Sequence, residues 1–169
     1  MSLKNYKSEV LSHKNKLYRF ALRIVGNVAE AEDVVQEVLI KMWKSRSQLG
    51  QFQNTEAWCM KMTKNLSIDK LRSKHRQTST LPEAYELSAR TASPYQQAEM
   101  GDTVSHIRTL MEALPDKQRM TMQLRDIEGM SYKEIAEVLD IPLNQVKVNL
   151  FRARQYIRTQ LINKESYGL

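Results

Sequence analysis

Residues 131–158 read SYKEIAEVLDIPLNQVKVNLFRARQYIR and predict two short helices joined by a tight turn. Ser131 and Glu134 have the spacing of a capping box, so a helix is expected to begin there. Residues 140–142 (DIP) are expected to end it, because proline has no N–H and biases the residue before it away from helical backbone angles. A second helix is predicted from about Leu143.

The second predicted helix has two different faces. Its apolar residues step by three and four and predict one buried stripe, formed by Leu143, Val146, Leu150, Ala153, Ile157 and Leu161. The outer face carries Asn144, Lys147, Val148, Phe151, Arg152 and Gln155. Any helical bundle can contain a cap, a proline and an apolar stripe. A basic outer face with an aromatic residue on it nevertheless favours a helix-turn-helix whose second helix enters the major groove of DNA.

The composition indicates an intracellular, mostly helical protein. The 169 residues carry a net charge of +7, which favours a polyanionic partner such as nucleic acid. Cys59 is the only cysteine, so an intramolecular disulfide and a thiolate zinc cluster are excluded, and a cytoplasmic location is expected. No apolar run approaches the length of a membrane span, and the N-terminus lacks the pattern of a signal peptide. Few alternating β-branched runs leave an all-α fold as the expectation.

The N-terminal half predicts three helices. The first is expected from Lys4 to Val25 and is ended by Gly26; Asn27 is then expected to cap the second. The second helix is predicted to have one buried and one exposed face. Its buried face is expected to contain Ala31, Val34, Val35, Val38, Leu39, Met42 and Trp43. Its outer face is expected to contain Glu30, Asp33, Gln36, Glu37, Ile40 and Lys41. Acidic residues near a helix N-terminus also simply complement the helix dipole. For Glu30 and Asp33 this simpler explanation is an alternative to a role in binding.

A third helix is predicted from Thr55, as its cap, through Arg72. Its buried stripe is expected to contain Cys59, Met62, Thr63 and Leu66, with cations along the flank. Aromatic and amide side chains beside cations suit single-stranded DNA, although Trp58 could equally be a core residue. Residues 76–105 predict a flexible linker. A further helix is expected after Pro115, with Met120, Leu124 and Ile127 buried.

Two blocks of this sequence resemble the extracytoplasmic-function (ECF) sigma factors of the sigma-70 family. The first is AEAEDVVQEVLIKMWKSR followed by NTEAWCMKMTKNLSIDKLR, and the second is ALPDKQRMTMQLRDIEGMSYKEIAEVLDIPLNQVKVNLFRARQYIR. The resemblance implies two small helical domains joined by a flexible linker. Residues 1–75 would be a region 2-like domain, 76–105 the linker, and 106–169 a region 4-like helix-turn-helix domain.

The resemblance also implies a role for each face. The second helix would dock on a coiled coil of the largest subunit of core RNA polymerase through Asp33, Gln36, Glu37, Ile40 and Lys41. The third helix would recognise and melt the downstream promoter element through Asn54, Trp58, Lys61, Asn65 and Asp69. The last helix would read the upstream element through Asn144, Gln145, Lys147, Val148, Phe151 and Arg152, with Arg154 and Arg158 on phosphates. An anti-sigma factor, often membrane-anchored in this family, is a further implied partner.

This chain departs from the family pattern next to the bases. Many members have Gly-Thr at 144–145 and Ser-Arg at 148–149, where this chain has Asn144-Gln145 and Val148-Asn149. We therefore expect its own promoter preference to be determined there.

The main alternative is a stand-alone helix-turn-helix regulator that does not bind core polymerase, and an RNA-binding antiterminator is a third possibility. No nucleophile, metal or phosphate-loop pattern is evident, so we expect neither an enzyme nor a cofactor or metal site.

Overall fold

The computed structural model describes residues 3–78 and 101–166, and in these ranges the chain is helical without β-strands. Contacts divide the chain into two compact units, Met1–Thr91 and Ala92–Leu169, here called the N-terminal and C-terminal units. The predicted all-α fold is confirmed. Most of the predicted linker lies outside the described residues. Both of its described ends are helical.

The N-terminal unit begins with two helices whose ends follow the predicted signals. Its elements are α1 (Leu3–Val25), α2 (Val28–Lys44), a 3-10 turn (Leu49–Gln51) and α3 (Thr55–Thr78). Gly26 ends α1 with a φ of 69°, a left-handed conformation that glycine adopts without steric cost. The side chain of Asn27 then accepts a hydrogen bond from the Glu30 N–H at 3.0 Å, which confirms the predicted cap of α2.

The core of the N-terminal unit lies where α1 packs against α2 and α3. Phe20 and Leu17 of α1 are fully buried there, together with Val38 and Met42 of α2. Burying a side chain of this size contributes about 1.5–3 kcal/mol. The predicted apolar face of α2 is thus largely confirmed, but Leu39 is only half-buried and Trp43 is 38% exposed.

The start of α3 differs from the prediction by one residue. Asn54, rather than Thr55, caps the helix: its side-chain oxygen accepts from the Ala57 N–H at 2.9 Å. Its carbonyl also accepts the first helical hydrogen bond, from the Trp58 N–H at 3.2 Å. The helix continues to Thr78, beyond the predicted end at Arg72.

The buried stripe of α3 was only partly predicted. Cys59 and Thr63 are buried as expected, but Met62 and Leu66 are only half-buried. The stripe is rotated toward polar residues, which hydrophobic periodicity cannot identify. Thr63 can be buried because its hydroxyl donates to the Cys59 carbonyl at 2.8 Å and so has a partner inside the helix. The other buried residues of α3 are Ala57, Met60, Lys64 and Ser67.

The C-terminal unit contains the predicted hairpin. Its elements are α4 (Asp102–Glu112), α5 (Asp116–Met122), a π-helical turn (Gln123–Ile127), α6 (Tyr132–Leu139) and α7 (Leu143–Ser166). Both bonds of the predicted capping box are present: Glu134 N–H to the Ser131 hydroxyl at 3.1 Å, and Ser131 N–H to the Glu134 carboxylate at 3.0 Å. Asp140 ends α6 in the left-handed conformation, with a φ of 53°.

The π-helical turn corrects the predicted burial of the helix before the hairpin. Met120 and Leu124 are buried as expected, but Ile127 is 43% exposed. A π-turn places one additional residue in the helical turn, so the positions after it rotate relative to α-helical spacing. The Glu128 N–H donates to the Gln123 carbonyl at 3.0 Å, and Glu128 is buried in place of Ile127.

The hairpin packs through the inner stripe of α7. Val146, Leu150, Ala153 and Ile157 are buried as predicted, and Ile135 and Val138 of α6 are fully buried. Leu143 was predicted to join this stripe but is 45% exposed, because it is the first residue of α7 and lies at the helix end. Leu161, which was also predicted for this stripe, is only half-buried. The core therefore holds α7 along its inner side and leaves the opposite side available.

Candidate functional site

The outer face of α7 exposes an aromatic, an aliphatic and several cationic side chains. Phe151 is 68% exposed and Val148 is 39% exposed, with exposed Lys147 and Arg152 beside them. The sequence predicted this arrangement. A protruding helix that combines cations for phosphates with apolar groups for thymine methyls suits the major groove.

Two linked amides join the first and second turns of α7. The Gln145 side-chain nitrogen Nε2 donates to Oδ1 of Asn149 at 3.1 Å. Asn149 is only 4% exposed, and its own Nδ2 is buried without a hydrogen-bond partner among the described residues. Asn144 is exposed on the first of these turns. The structure thus places Asn144 and Gln145 at the N-terminal end of the candidate reading helix, whereas Asn149 faces inward.

Arg154 differs from the other predicted cations of α7. Its guanidinium Nε donates to Oδ2 of Asp126 at 3.0 Å, and a terminal nitrogen contacts the other oxygen of that carboxylate. The hydrogen bond to Asp126 raises the pKa of Arg154 above its ordinary value. The structure therefore gives Arg154 a partner within the C-terminal unit, while Arg158 is exposed.

A groove of about 420 Å³ lies between α6 and the outer face of α7. At its edge, the Arg125 guanidinium carbon lies 4.8 Å from the ring centroid of Tyr132, and Arg125 also donates to the Met130 carbonyl at 2.8 Å. These contacts fix the chain where it enters α6. The residues that line the groove are Tyr132, Lys147, Leu150, Phe151, Arg154, Gln155 and Arg158.

The five residues predicted for core polymerase lie together on the outer face of α2, here called the α2 surface. They are Asp33, Gln36, Glu37, Ile40 and Lys41, and all five are exposed. Ile40, which is 53% exposed, is the one aliphatic residue among these five. A protruding aliphatic side chain surrounded by charges is a usual arrangement for a protein-binding surface.

Two ion pairs connect α2 to α3. A carboxylate oxygen of Asp33 lies 3.9 Å from Nζ of Lys70, and one of Glu30 lies 3.7 Å from Nζ of Lys74. A third pair, Glu37 with Lys41 at 3.7 Å, stays within α2. All of these groups are partly exposed, so each pair contributes little to stability, about 0–1 kcal/mol.

Sequence reasoning missed an aromatic cluster beside the α2 surface. The rings of Tyr6 and Trp43 meet edge to face with centroids 5.0 Å apart, and the Tyr6 hydroxyl donates to the Leu39 carbonyl at 2.8 Å. The Arg46 guanidinium carbon lies 4.2 Å from the centroid of the Trp43 ring. Placing Tyr6 here required the packing of α1 on α2, which no local pattern indicates.

Four of the five residues predicted for the downstream element share one face of α3. Trp58, Lys61, Asn65 and Asp69 step by three and four, opposite the buried stripe, and Asn65 and Asp69 are exposed. Asn54 is separate from them, because its side chain caps the helix.

Trp58 has a partner that the sequence did not identify. Its ring stacks on Phe52 with centroids 4.8 Å apart and an interplanar angle of 18°. The stack forms where the chain leaves the 3-10 turn and enters α3. An aromatic pair at the start of a cation-bearing helix provides a surface on which a base could stack.

The described residues give no indication of metal chemistry. No group of three or more His, Cys, Asp or Glu side chains within 3–78 and 101–166 could hold a metal ion. In the same residues, no helix is long and apolar enough to cross a membrane.

Together, the fold and its faces define a helical protein with a helix-turn-helix in one unit and an exposed, mostly polar helix face in the other. Two family models match the chain, one in each unit. Residues 10–77 match sigma-70 region 2, and residues 106–157 match sigma-70 region 4.

Curated relatives agree with these matches. The chain is 34% identical over 161 residues to the ECF RNA polymerase sigma factor SigE of Mycolicibacterium smegmatis, with 93% of this chain and 62% of that protein covered. It is 30% identical over 158 residues to the ECF RNA polymerase sigma factor SigW of Bacillus subtilis, with 88% and 84% covered. The chain belongs to the ECF sigma factors of the sigma-70 family.

Solved structures share the fold. The sigma factor RpoE of Bartonella quintana, solved in complex with the anti-sigma factor NepR, matches with a TM-score of 0.81 at 23% identity and covers 94% of this chain and 98% of that one. CnrH, solved with the cytosolic domain of CnrY, matches with a TM-score of 0.68 at 19% identity, covering 96% and 90%.

Proposed function

We propose that this chain directs bacterial core RNA polymerase to specific promoters. The observation that carries the proposal is that the matches to sigma-70 regions 2 and 4 fall on two units, each with an exposed face of suitable chemistry. The N-terminal unit would bind core polymerase and open the downstream promoter element. The C-terminal unit would bind the upstream element as duplex DNA.

The α2 surface is the proposed contact with core polymerase. The Ile40 side chain would be buried in an apolar pocket of the partner. The carboxylates of the α2 surface would favour a basic partner surface and orient it. The pairing of Asp33 with Lys70 keeps the acidic surface beside the cations of α3. Protein docking and DNA melting would therefore take place on adjoining faces of one small unit.

The exposed face of α3 is the proposed contact with the separated DNA strand. The Phe52–Trp58 stack offers a ring surface to an unstacked base, while Lys61 and Asn65 follow it along the same face. Extruding a base costs a few kcal/mol, and stacking on an aromatic ring returns about 1–3 kcal/mol per base. Asn54 would act indirectly, by fixing the start of α3.

The outer face of α7 is the proposed reader of the upstream element. Lys147 and Arg152 would contact base edges, and Val148 and Phe151 would contact thymine methyls or sugars. Arg158 would bind phosphate. Since Arg154 is held by Asp126, its proposed part is to support the groove beside Tyr132 more than to bind phosphate directly.

We further propose that the protein is a non-enzymatic cytoplasmic factor controlled by an anti-sigma factor. Two structural neighbours were solved as complexes of the kind that this regulation requires, one with NepR and one with CnrY. A partner that covers both the α2 surface and the outer face of α7 would block both proposed activities.

Transcription in a defined reaction tests the proposal. Purified chain added to core polymerase should give discrete run-off transcripts from genomic promoter fragments, and core alone should not. Tight binding of the chain to duplex DNA, with no effect on the start sites chosen by core, would instead identify a stand-alone helix-turn-helix regulator. Preferential binding to single-stranded RNA would identify an antiterminator.

A further inference from the structure

A hydrogen-bonded amide pair joins the first and second turns of α7. Gln145 and Asn149 are one helical turn apart, and the Gln145 Nε2 donates to the Asn149 Oδ1 at 3.1 Å. The pair lies at the helix end from which recognition helices reach base edges.

The hydrogen bond determines what the Gln145 amide can still offer. A primary amide has two N–H groups and a carbonyl oxygen with two lone pairs. One N–H of Gln145 is taken by Asn149, so one N–H and the carbonyl oxygen remain, a donor beside an acceptor. Because the bond to Asn149 selects one orientation of the amide, the order of donor and acceptor along the helix is fixed as well.

We infer that Gln145, held by Asn149, is an adenine-specific reader of the upstream element. In the major groove adenine presents the N7 acceptor beside the N6 amino donor, which matches the remaining N–H and carbonyl oxygen of Gln145. Guanine presents two acceptors, so it would leave the Gln145 oxygen facing the guanine O6. Cytosine and thymine can each satisfy only one of the two groups. This inference rests on the proposed function, because it names the base that the reading helix selects.

Asn149 is a positioning residue in this arrangement. At 4% exposure it lies on the inner side of α7 and cannot itself reach a base. Its Nδ2 is buried without a hydrogen-bond partner among the described residues, an unfavourable state for a polar group if the side chain served only to fill space. Its oxygen, in contrast, is used to hold Gln145.

The alternative explanation is that the pair only stabilises the first turn of the helix, as amide pairs four residues apart do. The two explanations differ in what substitutions change. A stabilising pair would affect the melting temperature and binding to every DNA sequence equally. A reading pair would change the preference for one base pair.

Selection from a DNA library separates these possibilities. Holoenzyme assembled from core polymerase and the full chain is incubated with promoter duplexes whose upstream element is randomised, and the bound fraction is sequenced. Wild-type chain should prefer adenine at one position by about 5- to 150-fold, the range of one good bidentate contact. Gln145→Ala should lose that preference and leave the other positions unchanged.

Three further substitutions give sharper outcomes. Gln145→Glu replaces both N–H groups by a second acceptor oxygen, and the Asn149 amide must turn so that its Nδ2 donates to the carboxylate. The preferred base at that position should then change from adenine to cytosine, whose N4 is a donor. Asn149→Leu should preserve or raise the melting temperature, since it removes a buried Nδ2 group that has no hydrogen-bond partner among the described residues, and should still weaken the adenine preference. Asn149→Asp keeps an acceptor oxygen and should retain the preference with weaker binding to all sequences.

Gln160→Ala serves as a control, since Gln160 is on the same helix but 15 residues further along, about 22 Å away. It should leave the selected sequence unchanged. If Gln145→Ala leaves every base preference intact while the wild-type holoenzyme still selects a defined element, the inference is wrong and the proposed function stands. If wild-type holoenzyme selects no element, both are wrong.

Discussion

The outer faces of α2 and α7 follow the same amphipathic plan but differ in what their charged groups contact. On α2, Glu30 and Asp33 pair with Lys74 and Lys70 of α3, so this acidic face borders a basic one in the same unit. On α7, Lys147 and Arg152 extend outward beside exposed Phe151. A change on the α2 surface therefore also alters the environment of α3, whereas a change in the outer cations of α7 should affect DNA alone.

The largest expected effect concerns Cys59 of α3, which is buried in the core of the N-terminal unit. Burial is the largest of the causes that raise the pKa of this thiol to about 12, and the side chain is fully buried. Since the thiolate is the reactive form, folded protein at pH 8 should react with a thiol reagent at least about 1,000-fold more slowly than protein in denaturant. Cys59 is the only cysteine in the chain, so the labelling rate reports the opening of the N-terminal unit alone.

The same thiol predicts a loss of stability at alkaline pH. Its folded pKa is higher than the ordinary unfolded value, so its contribution is complete below about pH 9 and is lost as the pH rises toward 12. Burial also raises the pKa values of Tyr6 and Tyr18, which act in the same direction. A Cys59→Ala variant keeps the tyrosines, so urea unfolding at pH 8 and pH 10.5 should show a smaller loss in the variant. Equal losses would contradict the assignment to Cys59.

The second effect is the loss of core binding when the α2 surface is reversed in charge. Changing Asp33→Lys and Glu37→Lys together should weaken association with core polymerase by at least about 100-fold, because two favourable charges become repulsive. Fluorescence anisotropy of labelled chain with purified core measures this.

Glu32→Lys is the matched control, since it reverses an exposed carboxylate on the same helix outside the α2 surface. It should change the affinity for core by less than about fivefold. An equal loss in the control would mean that net charge, rather than the α2 surface, governs association.

The third effect separates two arginines of α7 that are two residues apart. Arg152→Ala should cost about 1–3 kcal/mol on the preferred upstream sequence and less on unrelated DNA, if Arg152 contacts a base edge. Arg154→Ala should cost less than about 1 kcal/mol in DNA affinity and instead lower the stability of the unit slightly, because Asp126 is its partner. Titrations at several salt concentrations measure both, since loss of a phosphate contact lowers the salt slope by about 1. Equal effects of the two substitutions would remove the distinction between them.

Local signals in the sequence were enough to place the hairpin and the ends of most helices. Gly26, Asn27, Ser131 and Pro142 each act through the backbone within a few residues, so their effects can be read without the fold. The same holds for the exposed face of α7, because a strong apolar stripe determines which residues point away from it.

The sequence was less informative where the outcome depends on packing between helices or on a change of helical period. The π-turn exposes Ile127 and buries Glu128, and no residue type in residues 123–127 predicts such a turn. The stripe of α3 includes Lys64 and Ser67, which hydrophobicity excludes. Asn149 was grouped with the specificity positions, but its inward direction and its bond to Gln145 follow from the exact rotation of α7 on its core.

The fourth effect concerns the cap of α6, on which the position of α7 depends. Ser131→Ala removes the acceptor for the Glu134 N–H and should destabilise the C-terminal unit by about 1 kcal/mol, within the usual range of 0.5–2. Urea unfolding followed by circular dichroism measures the change. Ser12→Ala, an exposed serine within α1, should change stability by less than about 0.5 kcal/mol.

The smallest expected effect concerns the charged groups that join α2 to α3. It tests whether the acidic face of α2 and the cations of α3 influence each other. A double-mutant cycle on Asp33→Ala and Lys70→Ala should give a coupling of about 0.2–1 kcal/mol in unfolding free energy, and high salt should reduce it. The cycle on Glu37→Ala and Lys70→Ala should give nearly none, because Glu37 contacts Lys41 instead. If Asp33 and Lys70 are coupled, occupation of Asp33 by a partner also changes the charge balance around Lys70. Binding of core would then affect the proposed DNA-binding face of α3 without any movement of the helices. If both couplings are zero, the acidic face of α2 is as separable from its neighbour as the basic face of α7.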